Sequence, residues 1–148
     1  MEGDCALSEI VQDLRDGRAI PVVPNAFEIV ADGSVRLGGS ECQKCQWRTF
    51  PRVKRCLRCH SGDVGDVLLI PQGIVDSFTV VHQGPAEWTG VVPYVLVRVL
   101  LDDGVLVVSH LRECLVSDIR IGMGVRGALA VLFEEGGRSV VGPVFVPA

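Results

Sequence analysis

A chain of 148 residues, 48% hydrophobic and 22% charged, has the make-up of one or two small globular domains. Its net charge of −4 argues against general nucleic-acid binding. No apolar run approaches the roughly 20 residues of a membrane helix, so no membrane role is expected.

In chain order, residues 1–20 hold five acids and two arginines, with no apolar stretch of signal-peptide type, so a cytoplasmic chain is expected. Residues 1–5 read as frayed. Ala6–Asp16 reads as a helix, because Leu7, Ile10, Val11 and Leu14 recur at helical spacing. Asp4 can cap its start and Gly17 its end. A helix this short is marginal alone in water and must bury its stripe on its own chain or on a partner. Arg18–Pro24 is expected to be extended, since Pro21 and Pro24 break helix and bias their predecessors to β. Phe27–Val30 and Ser34–Leu37 flank the turn Ala31-Asp32-Gly33 and predict a short hairpin. Leu37-Gly38-Gly39-Ser40 then brings the backbone close to the first of two cysteine pairs.

Those pairs are Cys42/Cys45 and Cys56/Cys59, two C-x2-C steps with ten residues between them. Each step aims two sulfurs at one point, and two such turns facing each other make the tetrahedron of a closed structural zinc site. Local disulfides would need an oxidising compartment, and a redox dithiol a βαβ setting that does not follow here. Iron in four thiolates stays open. With four protein ligands no coordination position remains for chemistry, so the metal is expected to hold structure. Gln46 and His60 follow the second cysteine of each pair, where the knuckle favours φ > 0. His60 is therefore read as a knuckle residue, histidine being among the types that tolerate this backbone, and not as an extra ligand. Phe50-Pro51 is expected to fill the small ribbon core with Trp47 or Val53. Residues 41–60 also hold six Lys/Arg against one Glu, +5, which leaves the remainder near −9. The cluster Arg52, Lys54, Arg55 and Arg58 either balances four thiolates around a zinc ion or attracts an anion.

After Ser61-Gly62-Asp63 the chain turns Val/Leu/Ile-rich, with turn signals at barrel-like spacing. Expected strands are Asp66–Ile70 running on through Gly73–Val81, then Pro93–Leu101, Val105–His110, Val125–Phe133 and Arg138–Phe145. Gly73 marks a bend in the long first strand. Leu111–Gly124 is expected to be a loop with a single turn. In the long connection from His82 to Val92, Trp88 either folds back as a plug or anchors a partner. The expected fold is mainly β: an N-terminal helix, a rubredoxin-like zinc ribbon, then a five-stranded OB-fold barrel. The expected division is 1–24 for helix and arm, 25–64 for the ribbon and 65–148 for the OB-fold.

Nothing in the residue inventory assembles a reaction centre. His60, His82 and His110 lack motif neighbours, Cys5 and Cys114 are spare thiols, and no P-loop, Rossmann glycine pattern or H-E-x-x-H occurs. The expectation is a non-catalytic module. Nucleic-acid binding is the alternative, since ribbons and OB-folds both do it. The residues argue against it: Phe78, Trp88, Tyr94, Phe133 and Phe145 have no basic groove beside them in the sequence, and no lysine follows Arg58.

The ordered set Leu37–Cys45, Phe50-Pro51, Cys56–Cys59, Gly73, Pro93-Tyr94, Asp103-Gly104 and Ile121-Gly122-Met123 with Val125 resembles the acyl-CoA-associated zinc-ribbon plus OB-fold family, domain of unknown function thirty-five. The likeness runs through most of residues 7–146. Gln46 and His60 depart from it, standing where the family usually has glycine. The resemblance implies a small accessory subunit in a hetero-oligomer with a thiolase-like catalytic subunit, shaping its acyl-CoA entrance. The family's partners range from acetoacetyl-CoA thiolase to steroid side-chain aldolases and the benzoylsuccinyl-CoA thiolase type. It implies one structural zinc and a coenzyme A thioester as ligand of the complex. Arg52, Lys54, Arg55 and Arg58 would then meet CoA phosphates by charge and bidentate bonds, and Trp88 would be a further CoA or partner contact.

Overall fold

The computed structural model describes residues 2–86 and 88–148, with side chains from Ser8 onward. Met1 and the side chains of Cys5 and Leu7 lie outside it. The first element, α1, spans Glu2–Asp16. It starts four residues ahead of the expected position, so Asp4 lies within the helix and not at its cap. Its end is as expected: Gly17 takes φ +77°, and the Arg18 N–H reaches back to the Asp13 carbonyl at 2.9 Å, the Schellman pattern. Ile10 and Leu14 pack on the chain itself, against a cluster of Ala19, Val35, Leu129 and Val141.

Two sheets follow. In the first, β2 (Phe27–Ile29) and β3 (Val35–Cys42) form the expected hairpin, and β3 also pairs with β4 (Arg48–Thr49) and β5 (Val64–Leu69). The glycine pair in β3 is there for close approach. A Cβ on Gly38 would stand 2.2 Å from the Asn25 carbonyl, and one on Gly39 would stand 2.6 Å from that of Thr49. The second sheet holds β6 (Gln72–Val81), β7 (Tyr94–Leu101), β8 (Leu106–Leu111), β9 (Gly124–Glu135) and β10 (Arg138–Pro147). It closes in the order β6-β7-β8-β10-β9-β6, with β8 and β10 parallel where Leu111 meets Phe145. That is a five-strand closed barrel. The segment before β9 carries one 3-10 turn, Val116–Asp118, as expected.

One expectation is corrected. Residues 64–69 do not open the barrel's first strand. They pair with β3, Leu37 opposite Leu69, and Ile70-Pro71 carries the chain across to the second sheet. The arm is extended as expected, and β1 (Ala19–Pro21) adds to β10 in parallel, Ala19 opposite Ser139. Gly73 is needed where β6 lies between β7 and β9, since a Cβ would stand 2.1 Å from the Leu100 carbonyl. The barrel core alternates as a half-buried sheet dictates: Val95, Val97, Val99 and Leu101 point inward from β7 and meet Val75, Val107, Val125 and Phe145. Leu37 and Leu69 belong to this same cluster, so the two sheets share a core at their junction.

Candidate metal centre and its surroundings

Cys42 ends β3, and Cys56 follows the loop after β4. From each, the chain makes the same turn. The Cys42 N–H bonds to the Trp47 carbonyl and the Gln46 N–H to the Cys42 carbonyl, both at 2.9 Å. Fourteen residues on, Cys56 bonds to Ser61 at 2.9 Å and His60 to Cys56 at 3.0 Å in the same pattern. Gln46 and His60 take φ of 62° and 63°, the left-handed backbone expected of them. The Cys45 and Cys59 N–H groups point at Cys42 Sγ and Cys56 Sγ, at 3.5 and 3.4 Å, and the Arg58 N–H adds a contact of 3.3 Å to Cys56.

The four Sγ atoms lie within 4.8 Å of one another, with Cys42–Cys59 and Cys45–Cys56 at 3.5 Å. A zinc ion bonded at about 2.3 Å places its sulfurs roughly 3.8 Å apart, so the donor set fits. A disulfide needs about 2.05 Å, and all four cysteines are free thiols. Backbone N–H donors favour thiolates. The bond from Cys45 N–H, ahead of that from Lys44, lowers the Cys42 pKa, and the bond from Cys59 N–H, ahead of that from Arg58, lowers Cys56 to about 6. The Trp47 N–H also lowers Cys45, but burial and the neighbouring thiols outweigh it and push that group up to about 11. Four sulfurs this close cannot all ionise without a cation among them. The cluster can hold a metal ion such as zinc, and among the described residues no other group of three or more His, Cys, Asp or Glu is arranged to do so.

Ser40 braces the site from below. It is buried, and its Oγ accepts the Val53 N–H at 3.0 Å and faces the Val53 carbonyl at 3.4 Å, tying β3 to the loop that carries the second cysteine pair. The serine falls within the Leu37–Cys45 motif, but its bracing role shows only in the contact.

The basic cluster is less uniform than its sequence suggests. Arg52 is turned inward over Gly38, with Asp66 at 3.6 Å and Glu28 at 3.8 Å, and its buried Nε has no hydrogen bond. Arg55 donates to the His60 carbonyl at 3.2 Å, and the Arg58 guanidinium lies 5.5 Å from the centre of the exposed Trp47 ring. Lys54 is exposed. Trp88 is elsewhere. It sits among Tyr94, Phe133 and His110 with ring centres 5.0, 5.5 and 5.8 Å away, pressed against Gly84 and Gly90 of its own loop, its Nε1 buried without a partner. Tyr94 begins β7. Asp103, just past the end of β7, pairs with Arg48 of β4 at 3.5 Å. Eight residues of strand, roughly 23 Å, therefore separate Trp88 from the ribbon side, and the structure does not bring it to the basic cluster.

Three comparisons bear on this arrangement. A family model described as the ChsH2 C-terminal OB-fold domain matches residues 67–130. Two proteins named DUF35 domain-containing scaffold protein are similar in sequence. That of Methanocaldococcus jannaschii is 27% identical over 104 residues, 70% of this chain and 74% of its own. That of Methanothermobacter thermautotrophicus is 29% identical over 106 residues, 71% of this chain and 80% of its own. A solved structure titled Ltp2-ChsH2(DUF35) aldolase superposes with a TM-score of 0.59 at 31% identity, covering 76% of this chain and 84% of that one. A chain with this ribbon, this barrel and these relatives belongs to the DUF35 family, whose C-terminal domain is the OB-fold of ChsH2.

Proposed function

We propose that the protein is a non-catalytic accessory subunit that docks on the catalytic subunit of a thiolase-type acyl-CoA enzyme and shapes its acyl-CoA entrance. The observation that carries this reading is the four-sulfur cluster. All ligand positions are filled by protein side chains, so one bound zinc holds the ribbon rigid and bond-making falls to another chain. Two relatives bear the name scaffold protein, and the solved relative is titled as a two-part aldolase, which supports assembly with a second polypeptide. In this reading Lys54, Arg55 and Arg58 meet the phosphates of CoA. Arg52 and Trp88, engaged within the chain, position the ribbon loop and the barrel loop. The three-part division at residues 24 and 64 is a functional one, since β1 joins the barrel sheet and residues 65–69 pair with β3 of the ribbon's sheet.

The test is reconstitution. The catalytic subunit is assayed with and without this chain, and with a K54E/R55E/R58E variant. The expected result is acyl-CoA turnover that depends on the chain, with a raised KM in the variant. Thioester turnover by this chain alone, or a catalytic subunit indifferent to it, contradicts the reading.

A further inference from the structure

On the side of the molecule formed by β9, the β2–β3 hairpin and α1 lies a groove of ≈ 800 Å³. Its walls include Arg36, Arg112 and Arg126, and its floor is aliphatic, with Leu129, Val131 and Ile70. Among the described residues, no carboxylate forms an ion pair with any of the three guanidiniums; the pairs present involve Arg18, Arg48, Arg52 and Arg98. Two acids also line the groove. Asp32 is held by Ser34 at 2.9 Å, and Glu113 is exposed. Arg112 is half-buried, burial lowers its pKa, and its side chain makes one long bond, 3.4 Å to the Val131 carbonyl. Most of its guanidinium donors are thus open to the groove, where a carboxylate can take them in bidentate fashion.

The same groove exposes an uncovered strand edge. β10 pairs with β9 along its length, but β6 covers only residues 124–126 of the other side. The Gly127 N–H goes to the Pro71 carbonyl at 2.6 Å, and the Thr89 hydroxyl takes the backbone of Glu134 at 3.0 and 3.2 Å. Between these two caps, strand alternation turns the backbone groups of Leu129 and Val131 toward the uncovered side. Arg112 at the Val131 carbonyl is a placeholder that a strand can displace.

We infer that this groove receives an extended acidic segment of a protein partner, laid along the β9 edge at Leu129–Val131 with its carboxylates on Arg112 and Arg126. Main-chain bonds then give affinity, while charge and the aliphatic floor choose the sequence. The site is distinct from the basic cluster of the ribbon, and the inference does not depend on which enzyme the protein serves.

The probe is a fluorescein-labelled hexapeptide alternating valine and glutamate, titrated by anisotropy into the full chain at low salt. Saturable binding is expected. It should weaken about tenfold or more in Arg126→Gln and further in Arg112→Gln. It should be lost both with a valine–lysine peptide and with a glutamate peptide N-methylated along one edge. Arg126 is exposed, so its variant keeps the test valid if loss of Arg112 unfolds the chain, which circular dichroism reads separately. Four results overturn the inference: no saturable binding, equal binding of the lysine peptide, no response to Arg126→Gln, or full competition by millimolar inorganic phosphate, which marks a small-anion site.

Discussion

The barrel buries Val75, Val97, Val99 and Val125 completely, whereas residues 41–63, which carry all four cysteines, bury only Cys42 and Cys56. Trp47 and Leu57 of that stretch stay 44% and 64% exposed, and Phe50 packs against the core cluster centred on the barrel. One region is held by aliphatic side chains withdrawn from water. The other has too little apolar surface for that, as small modules usually do, and gathers instead four sulfurs that can take a cross-link through metal. The difference teaches that the two halves should fail under different insults, although they share Leu37 and Leu69 at their junction.

The largest expected effect follows from removing the cross-link. Structural zinc contributes about 10 kcal/mol or more to folding of small modules at neutral pH. A strong chelator, or Cys56→Ser, should therefore abolish amide protection in residues 41–63 while barrel amides stay protected, as hydrogen exchange reads residue by residue. The converse test is Phe145→Ala. Phe145 is fully buried where β10 meets β8, and its loss should cost about 3–5 kcal/mol in a denaturant melt with the metal retained. Ser40→Ala should cost less than either, by orphaning the Val53 N–H in the loop leading to Cys56. An expected loss of about 1–3 kcal/mol should appear with weakened metal affinity in a chelator competition. His60→Gly should be the mildest change to the ribbon, a gain of at most about 1 kcal/mol, because glycine adopts φ 63° without a Cβ penalty.

A final contrast is in pH. Burial, and then the charge of Arg112, hold the His110 pKa below its ordinary 6.5. The unfolded chain therefore binds this proton first. The stability tied to neutral His110 is present above that ordinary value and is lost as pH falls through the folded pKa. His110 stacks on Tyr94 at 4.7 Å beside Trp88, so acid should loosen the barrel's far end. The thermal midpoint should fall with pH over this window, and His110→Phe should flatten the slope.

Most of the architecture was legible because its signals are local. The spacing of Cys42, Cys45, Cys56 and Cys59 fixes the knuckles, and alternation along Val95–Leu101 fixes an inward face. The positive φ of Gln46 and His60 also followed from position alone. What was not legible depends on partners far away in the chain. Val64–Leu69 has the composition of a barrel strand, yet Leu37 and Gly38-Gly39 supply a closer edge for it to pair with. The β1 arm reads as extended, but the edge it joins belongs to β10, more than a hundred residues later. Arg52 looked like its neighbours in the basic run, but Gly38 leaves room for it to turn inward toward Asp66 and Glu28. The aromatic cluster of Trp88, Tyr94, His110 and Phe133 joins three distant stretches, and no spacing rule announces it.

The central claim, a metal-held ribbon and a barrel that serve a catalytic chain, is tested most directly by native mass spectrometry of the protein purified from its own host. The account predicts a hetero-oligomer in which each copy of this chain carries one zinc and accompanies a subunit of thiolase size. A lone chain free of zinc, with no larger companion under gentle purification, contradicts it.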